Sequence, residues 1–205
     1  MFNDALAYFA EHPLQAAVLL AALLLCAYAW VRALRQAKKR AAAKAKLIET
    51  LEHEKKLRQD FKCLDRSLLA ETPAERLVEG VCCHIQMALE AAPDMEEAFA
   101  ALAEPERLIY ALGYVVQDSR KGLSAFFRAN GKPLTPAALE AVERLVGGEY
   151  AAVFREACAA FDEDDEDASY SKAKARGWDE AFAALLRGRE DQLYSGAKDY
   201  IIAHF

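Results

Sequence analysis

The residues of this chain that are equipped for chemistry are few and scattered. Cys82-Cys83-His84 sets two thiols and an imidazole in a row, the ligand types that zinc prefers. Neighbouring residues on a helix point about 100° apart, so these three cannot close on one ion without distant help. His12, His53 and His204 fall at no spacing that places two imidazoles on one helix face. Core packing is therefore the expected role of the triplet, and no metal or other cofactor is expected. Ser119, Ser124, Ser169, Ser171 and Ser195 lack the Gly-x-Ser-x-Gly elbow. Gly113, Gly122, Gly131 and Gly147-Gly148 form neither a P-loop nor a dinucleotide fingerprint. No active site is recognisable, and a non-catalytic role is expected; an enzyme whose site has no sequence signature is the alternative.

The one concentrated feature is Asp162-Glu163-Asp164-Asp165-Glu166-Asp167. It lacks the alternating oxygens, central Gly and terminal Glu of a calcium loop. Like charges repel and stay in water, so a solvated loop is the plain reading. The sharper reading is a partner-binding surface that offers carboxylates as nucleic acid offers phosphates, and so docks on a basic protein. A protein partner, basic or DNA-binding, is expected on that reading, with no direct contact to nucleic acid.

Charge is divided along the chain. The 205 residues carry a net charge of -6, yet the stretch 32–70 holds twelve Lys/Arg against five Asp/Glu, while 14 stand against 25 from Glu71 onward. The five cysteines are odd in number and dispersed, which suits a reducing compartment better than a disulfide framework.

From Leu14 to Val31 the only residue that is not apolar is Gln15. As a helix these 18 positions rise roughly 27 Å, close to the hydrocarbon thickness of a bilayer. Tyr28 and Trp30 stand at the end of the run, and Arg32, Arg35, Lys38, Lys39, Arg40, Lys44 and Lys46 follow at once. Aromatic rings favour the headgroup boundary and cationic flanks stay inside. A cleaved signal peptide wants cations ahead of its apolar run, whereas Asp4 and Glu11 are the only charges there. The expected organisation is a short extracytoplasmic N-terminus (1–13), a transmembrane anchor (14–34), a basic helical stalk (35–70) and an acidic domain in the cytoplasm (71–205), held at the inner membrane. The basic collar fixes topology; attraction to anionic headgroups would add to an anchor already in place.

No Pro or Gly interrupts 35–69, and Ala, Lys, Glu, Leu and Arg dominate, so a continuous helix is expected to leave the membrane. Leu57, Phe61, Leu64 and Leu68 form a heptad-like stripe, expected to pack on the following domain, with a short coiled coil as the alternative. Thr72-Pro73-Ala74-Glu75 and Thr135-Pro136 read as a capping hydroxyl followed by Pro at a helix start. Apolar residues at helical spacing predict helices through Leu77–Leu89, Leu108–Val116, Leu123–Arg128, a stretch ending at Val146, Tyr150–Phe161, Asp179–Leu186 and Asp191–His204. No segment alternates with period two, so the fold class is all-α: a transmembrane helix and stalk followed by a multi-helix globular domain.

The segment Asp118-Ser119-Arg120-Lys121-Gly122-Leu123-Ser124-Ala125-Phe126-Phe127-Arg128-Ala129-Asn130-Gly131 resembles the hallmark of the DNA-mimic protein 19 family. That bacterial hallmark has an acidic residue, an Asn-Gly-Gly-Phe-like turn, a Gln-Phe-Phe, and an Asn before a Gly. Gly122 stands at its second Gly, Leu123 at its Phe and Phe126-Phe127 at its aromatic pair; Lys121 replaces the first Gly, Ala125 the Gln, and Asn130 is displaced by one. The likeness runs more loosely through Ala151–Phe161 and Tyr200–His204, roughly the last hundred residues. It implies an all-helical fold and, in the family's named case, an acidic surface that binds a DNA-binding protein. The aromatic pair reads as core.

Overall fold

The computed structural model describes residues 13–131, 134–162 and 164–205. It divides into two compact units that meet at His53 and Glu54. Met1–His53 is the first, and its described part is the greater length of one helix, α1 (Pro13–Asp60). Strong helix formers carry α1 through 48 residues without an internal Pro or Gly. Within this unit Leu14, Val18, Leu24, Leu25, Tyr28 and Trp30 are all exposed, and so are the cations from Arg32 to Lys46. Among the described residues no helix is long and apolar enough to cross a membrane. The side chains of Gln15, Ala16, Leu19, Leu20 and Leu23, within the expected span, lie outside that description, as do residues 1–12 of the expected N-terminal segment 1–13.

The second unit, Glu54–Phe205, begins inside the same helix. Its elements are α2 (Arg66–Glu71), α3 (Ala74–Glu90), α4 (Met95–Ala100), α5 (Glu104–Asp118), a 3-10 turn (Ser119–Lys121) and α6 (Leu123–Ala129). Then come α7 (Leu134–Ala141) with a π turn (Val142–Val146), α8 (Gly148–Ala160), α9 (Glu166–Arg176) and α10 (Trp178–His204). There is no strand among the described residues.

α5 is the central element. Leu108 to Leu112 are five successive buried residues, so this helix is covered all round rather than along one stripe. α3 packs against it from one direction and α7 from another, while α10 lies along α3 and α8. Leu77, Val78, Val81, Ile85 and Leu89 supply the inner face of α3 at the spacing the sequence predicts.

The last turns of α1 belong to this core. Leu57 and Phe61 are buried, and a Cβ at Gly80 would overlap the Phe61 ring, so only glycine allows that close approach. Arg58 donates from Nη1 and Nη2 to the two carboxylate oxygens of Glu90, at 2.8 and 3.1 Å, and also to Glu54. Arg76 donates to Asp60 at 2.6 Å, and Nδ1 of His84 to the Phe61 carbonyl at 2.9 Å. Leu64 and Leu68 are partly buried against the same core, so the stripe packs on the domain as expected.

Other expectations are corrected. The helix leaving the apolar run ends at Asp60 instead of continuing to Leu69, because Phe61 turns into the core and Asp65 caps a separate α2 by accepting the Leu68 amide at 2.9 Å. The second unit starts at Glu54, within the last turns of α1. Thr72 closes α2 instead of opening α3: its hydroxyl and its amide both donate to the Leu68 carbonyl, at 2.6 and 3.1 Å. Thr135 sits inside α7, its hydroxyl donating to the Gly131 carbonyl at 3.1 Å. The chain from Glu166 to Arg176 is helical, an element the apolar pattern does not announce.

Candidate interaction groove

The hallmark segment spans the end of α5, the 3-10 turn and α6. A seven-residue helix is too short to hold itself in water, so both of its ends need bracing. At the start, Asp179 of α10 accepts the Ser124 amide at 2.7 Å and the Ser124 hydroxyl at 2.7 and 2.8 Å. Gly122 precedes this brace with φ +114°, and a Cβ there would lie 2.8 Å from the Asp179 carboxyl carbon. Glycine is therefore required twice over, by its backbone angle and by the carboxylate packed on it. At the other end, Asn130 Nδ2 donates to Asp118 at 2.7 Å and to the Phe126 carbonyl at 2.9 Å.

Between the braces, Leu123, Phe126 and Phe127 are buried. Phe126 and Phe127 meet edge-on with centroids 5.3 Å apart, Phe154 touches both, and Phe161 stacks on Phe127 at 4.9 Å. The hallmark thus works as a folding device, and the core reading of the aromatic pair holds. Gly131 is exposed and follows the Asn130 brace. Ser124 and Asp179 complete the device; a separation of 55 positions leaves no local signal by which the sequence could have paired them.

Where α6 ends, a groove of about 510 Å³ opens on the surface. Asn130, Leu139, Cys158, Phe161 and Lys172 line it together with Asp162 and Asp164 of the acidic run. The structure so brings two separate sequence features, the end of the hallmark and the start of the run, to one place. The run itself is not a single loop. Asp162 and Asp164 are exposed, with Asp162 Oδ1 accepting the Asp164 amide at 3.0 Å and the Asp162 amide donating to the buried Ser169 hydroxyl at 2.7 Å. Asp165 precedes α9, Glu166 and Asp167 form its first turn with side chains outside the described residues, and Glu163 lies outside them altogether. Acids at the start of α9, with Lys174 and Arg176 in its last turn, are the polarity that the helix dipole favours. Part of the run is thus explained by the helix it begins.

Elsewhere on the body, arginines are bonded to carboxylates: Arg58 to Glu54 and Glu90, Arg76 to Asp60, Arg120 to Glu75 and Glu190, Arg144 to Glu104 and Glu140, Arg155 to Glu143. Asp162 and Asp164 enter no ion pair among the described residues. A lining that mixes apolar side chains with two carboxylates, set against one ammonium at Lys172, suits a side chain that has an apolar stem and a cationic head.

Cys82, Cys83 and Cys158 are placed for packing, while Cys26 and Cys63 are exposed. Cys82 Sγ donates to the Ile109 carbonyl at 3.4 Å, and burial, reinforced by Cys83, pushes its pKa up to about 12. Burial likewise raises Cys83 and, in the groove wall, Cys158. His84 is turned toward the Phe61 carbonyl, away from a shared ligand point with the thiols, and no group of three or more His, Cys, Asp or Glu among the described residues is arranged to hold a metal. Ser119 Oγ is buried and without a hydrogen-bond partner among the described residues.

No curated protein and no solved structure matches the chain. A family model described as DMP19-like protein matches residues 100–204, which takes in α5 to α10, the braced hallmark and the groove. With half of its length covered by that model, the chain belongs to the DMP19-like protein family.

Proposed function

We propose that this protein is a membrane-tethered interaction module whose acidic helical body binds a basic protein partner in the cytoplasm. The observation that carries the binding half is the groove, where Asp162 and Asp164 outnumber Lys172 beside Leu139 and Phe161, on a body with 25 acidic residues against 14 basic ones from Glu71 onward. Such a surface attracts a cationic partner at long range and offers its side chains somewhere to rest. The tether is supported by the apolar run Leu14–Val31, by Tyr28 and Trp30 at its end, and by the one-sided cations that follow. Large apolar side chains exposed along α1, Leu14 at 83% and Trp30 at 70%, call for a cover that lipid supplies.

Membership of the DMP19-like family supports a second reading on the same surface, in which the carboxylates imitate DNA phosphates and occupy a DNA-binding protein. One experiment addresses both. Full-length protein from detergent-solubilised membranes serves as bait beside an Asp162→Asn/Asp164→Asn variant, and the retained proteins are identified by mass spectrometry. A basic partner held by the native chain, released by moderate salt and lost from the variant by about tenfold or more is the expected result. Retention unchanged by both salt and substitution would remove the acidic groove from the account. Competition of the captured partner by duplex DNA selects the mimic reading over the general one.

A further inference from the structure

We infer that Arg32, Arg35, Lys38, Lys39 and Arg40 form a collar that binds the phosphates of anionic phospholipids, so that the protein gathers acidic lipid around its anchor. The inference rests on the membrane tether proposed above and adds a lipid preference to it. These five cations lie within nine residues of α1, and all are exposed. At 1.5 Å per residue they occupy about 12 Å of helix, beginning immediately after Val31, and their directions sweep an arc of roughly 200°. Side chains on a helix lean toward its N-terminus, so each cation leans back toward the apolar run, and long stems extend that reach.

No carboxylate competes for them locally. The first acidic residue after the collar is Glu49, about 13 Å further along the helix, and none of the five enters an ion pair or hydrogen bond among the described residues. This contrasts with the bonded arginines of the body. The collar also lies within about one to one and a half screening lengths of the apolar boundary, where the potential of an anionic leaflet acts. Lys44 and Lys46 stand roughly 20 Å away and fall outside that range. Adjacency to the apolar run, with Trp30 at the junction, favours lipid phosphate over nucleic-acid phosphate.

Trp30 serves as the built-in reporter. The full chain is reconstituted into vesicles of mixed phosphatidylcholine and phosphatidylglycerol, with one or the other lipid brominated to quench nearby indoles; a Trp30→Phe variant gives the background from Trp178. Brominated phosphatidylglycerol is expected to quench Trp30 about threefold or more beyond its share of the mixture. That excess should vanish when the five collar cations are replaced by Gln, fall at high salt, and survive Lys44→Gln/Lys46→Gln. Quenching in proportion to lipid share would overturn the lipid preference while leaving the tether in place. Absence of quenching by either lipid would sink the tether itself. A collar indifferent to headgroup charge that nonetheless binds labelled duplex DNA in the same vesicles would assign these cations to nucleic acid and overturn the proposal.

Discussion

The helix before His53 and the body after it use charge in opposite ways. In the body, Arg58, Arg76, Arg120, Arg144 and Arg155 each sit against a carboxylate on another element, so charge there is answered within the fold. Along α1 from Arg32 to Lys46 seven cations follow one another with no carboxylate between them. Spacing, rather than abundance, separates the two uses: opposite charges brought together by a fold neutralise one another at little net gain, whereas like charges along one exposed helix keep a field that something outside must answer.

Apolar residues repeat the contrast. Phe61, just past the end of α1, is fully buried against Gly80, while Trp30, within α1, is exposed. The difference predicts that core substitutions act on the body. Phe61→Ala should lower the stability of the body by about 3–5 kcal/mol in a denaturant titration, since it removes a buried ring where the surroundings cannot collapse. Membrane association of the same variant should be unchanged; co-loss of both would show that the helix and body are not separable in function.

A smaller effect is expected at the brace of α6. Asp179→Ala leaves the Ser124 amide and hydroxyl without their acceptor and should cost about 1–3 kcal/mol, with hydrogen exchange quickening first in Leu123–Ala129. Uniform quickening over the whole body would show that α6 has no local stability of its own to lose.

The mildest test uses pH. Hydrogen bonds from Arg58 and Gln86 hold the Glu90 carboxyl down at about 2, from an ordinary 4.5. The folded chain therefore takes up this proton less readily than the unfolded one. Its contribution to stability is complete above pH 4.5 and declines as pH falls from there toward 2. Glu90→Gln should flatten that part of the stability profile, measured as the denaturant midpoint against pH. Because the pair is exposed, the change is expected to be modest.

Much of the body was legible in the sequence because its helices declare their inner faces locally. Leu77 to Leu89 and Leu108 to Val116 recur at the helical period, and their burial follows it. The family resemblance, carried by Asp118, Gly122, Phe126, Phe127 and Asn130, was legible too. What those residues do was less so: Asn130 and Asp118 are twelve apart, but the Asp179 that completes the motif is 55 residues from Ser124 and looks like any acid at a helix start. α9 escaped notice because Glu166–Arg176 has a polar composition and no apolar stripe to announce it. The break after Asp60 was hidden for the opposite reason, since strong helix formers continue past it and only the packing of Phe61 stops them. The bend in α10 at Arg189 follows Gly188, and there the Leu185 carbonyl, four residues before Arg189, accepts the Tyr150 hydroxyl at 2.8 Å; the glycine was visible, its partner was not.

The ammonium group of Lys198 donates to the carbonyls of Ala70 and Thr72, at 2.9 and 2.7 Å, and so ties α10 to α2 across 126 residues. At a synthesis rate of about 5–20 residues per second, roughly 6–25 s separate the emergence of those carbonyls from the arrival of the lysine that engages them. For most of that interval the apolar face of α3 has been made but the helix that lies along it has not. The newborn chain thus passes through a stage in which its earliest core surface is open to chaperones or to neighbouring nascent chains, and α10 is the element that ends it.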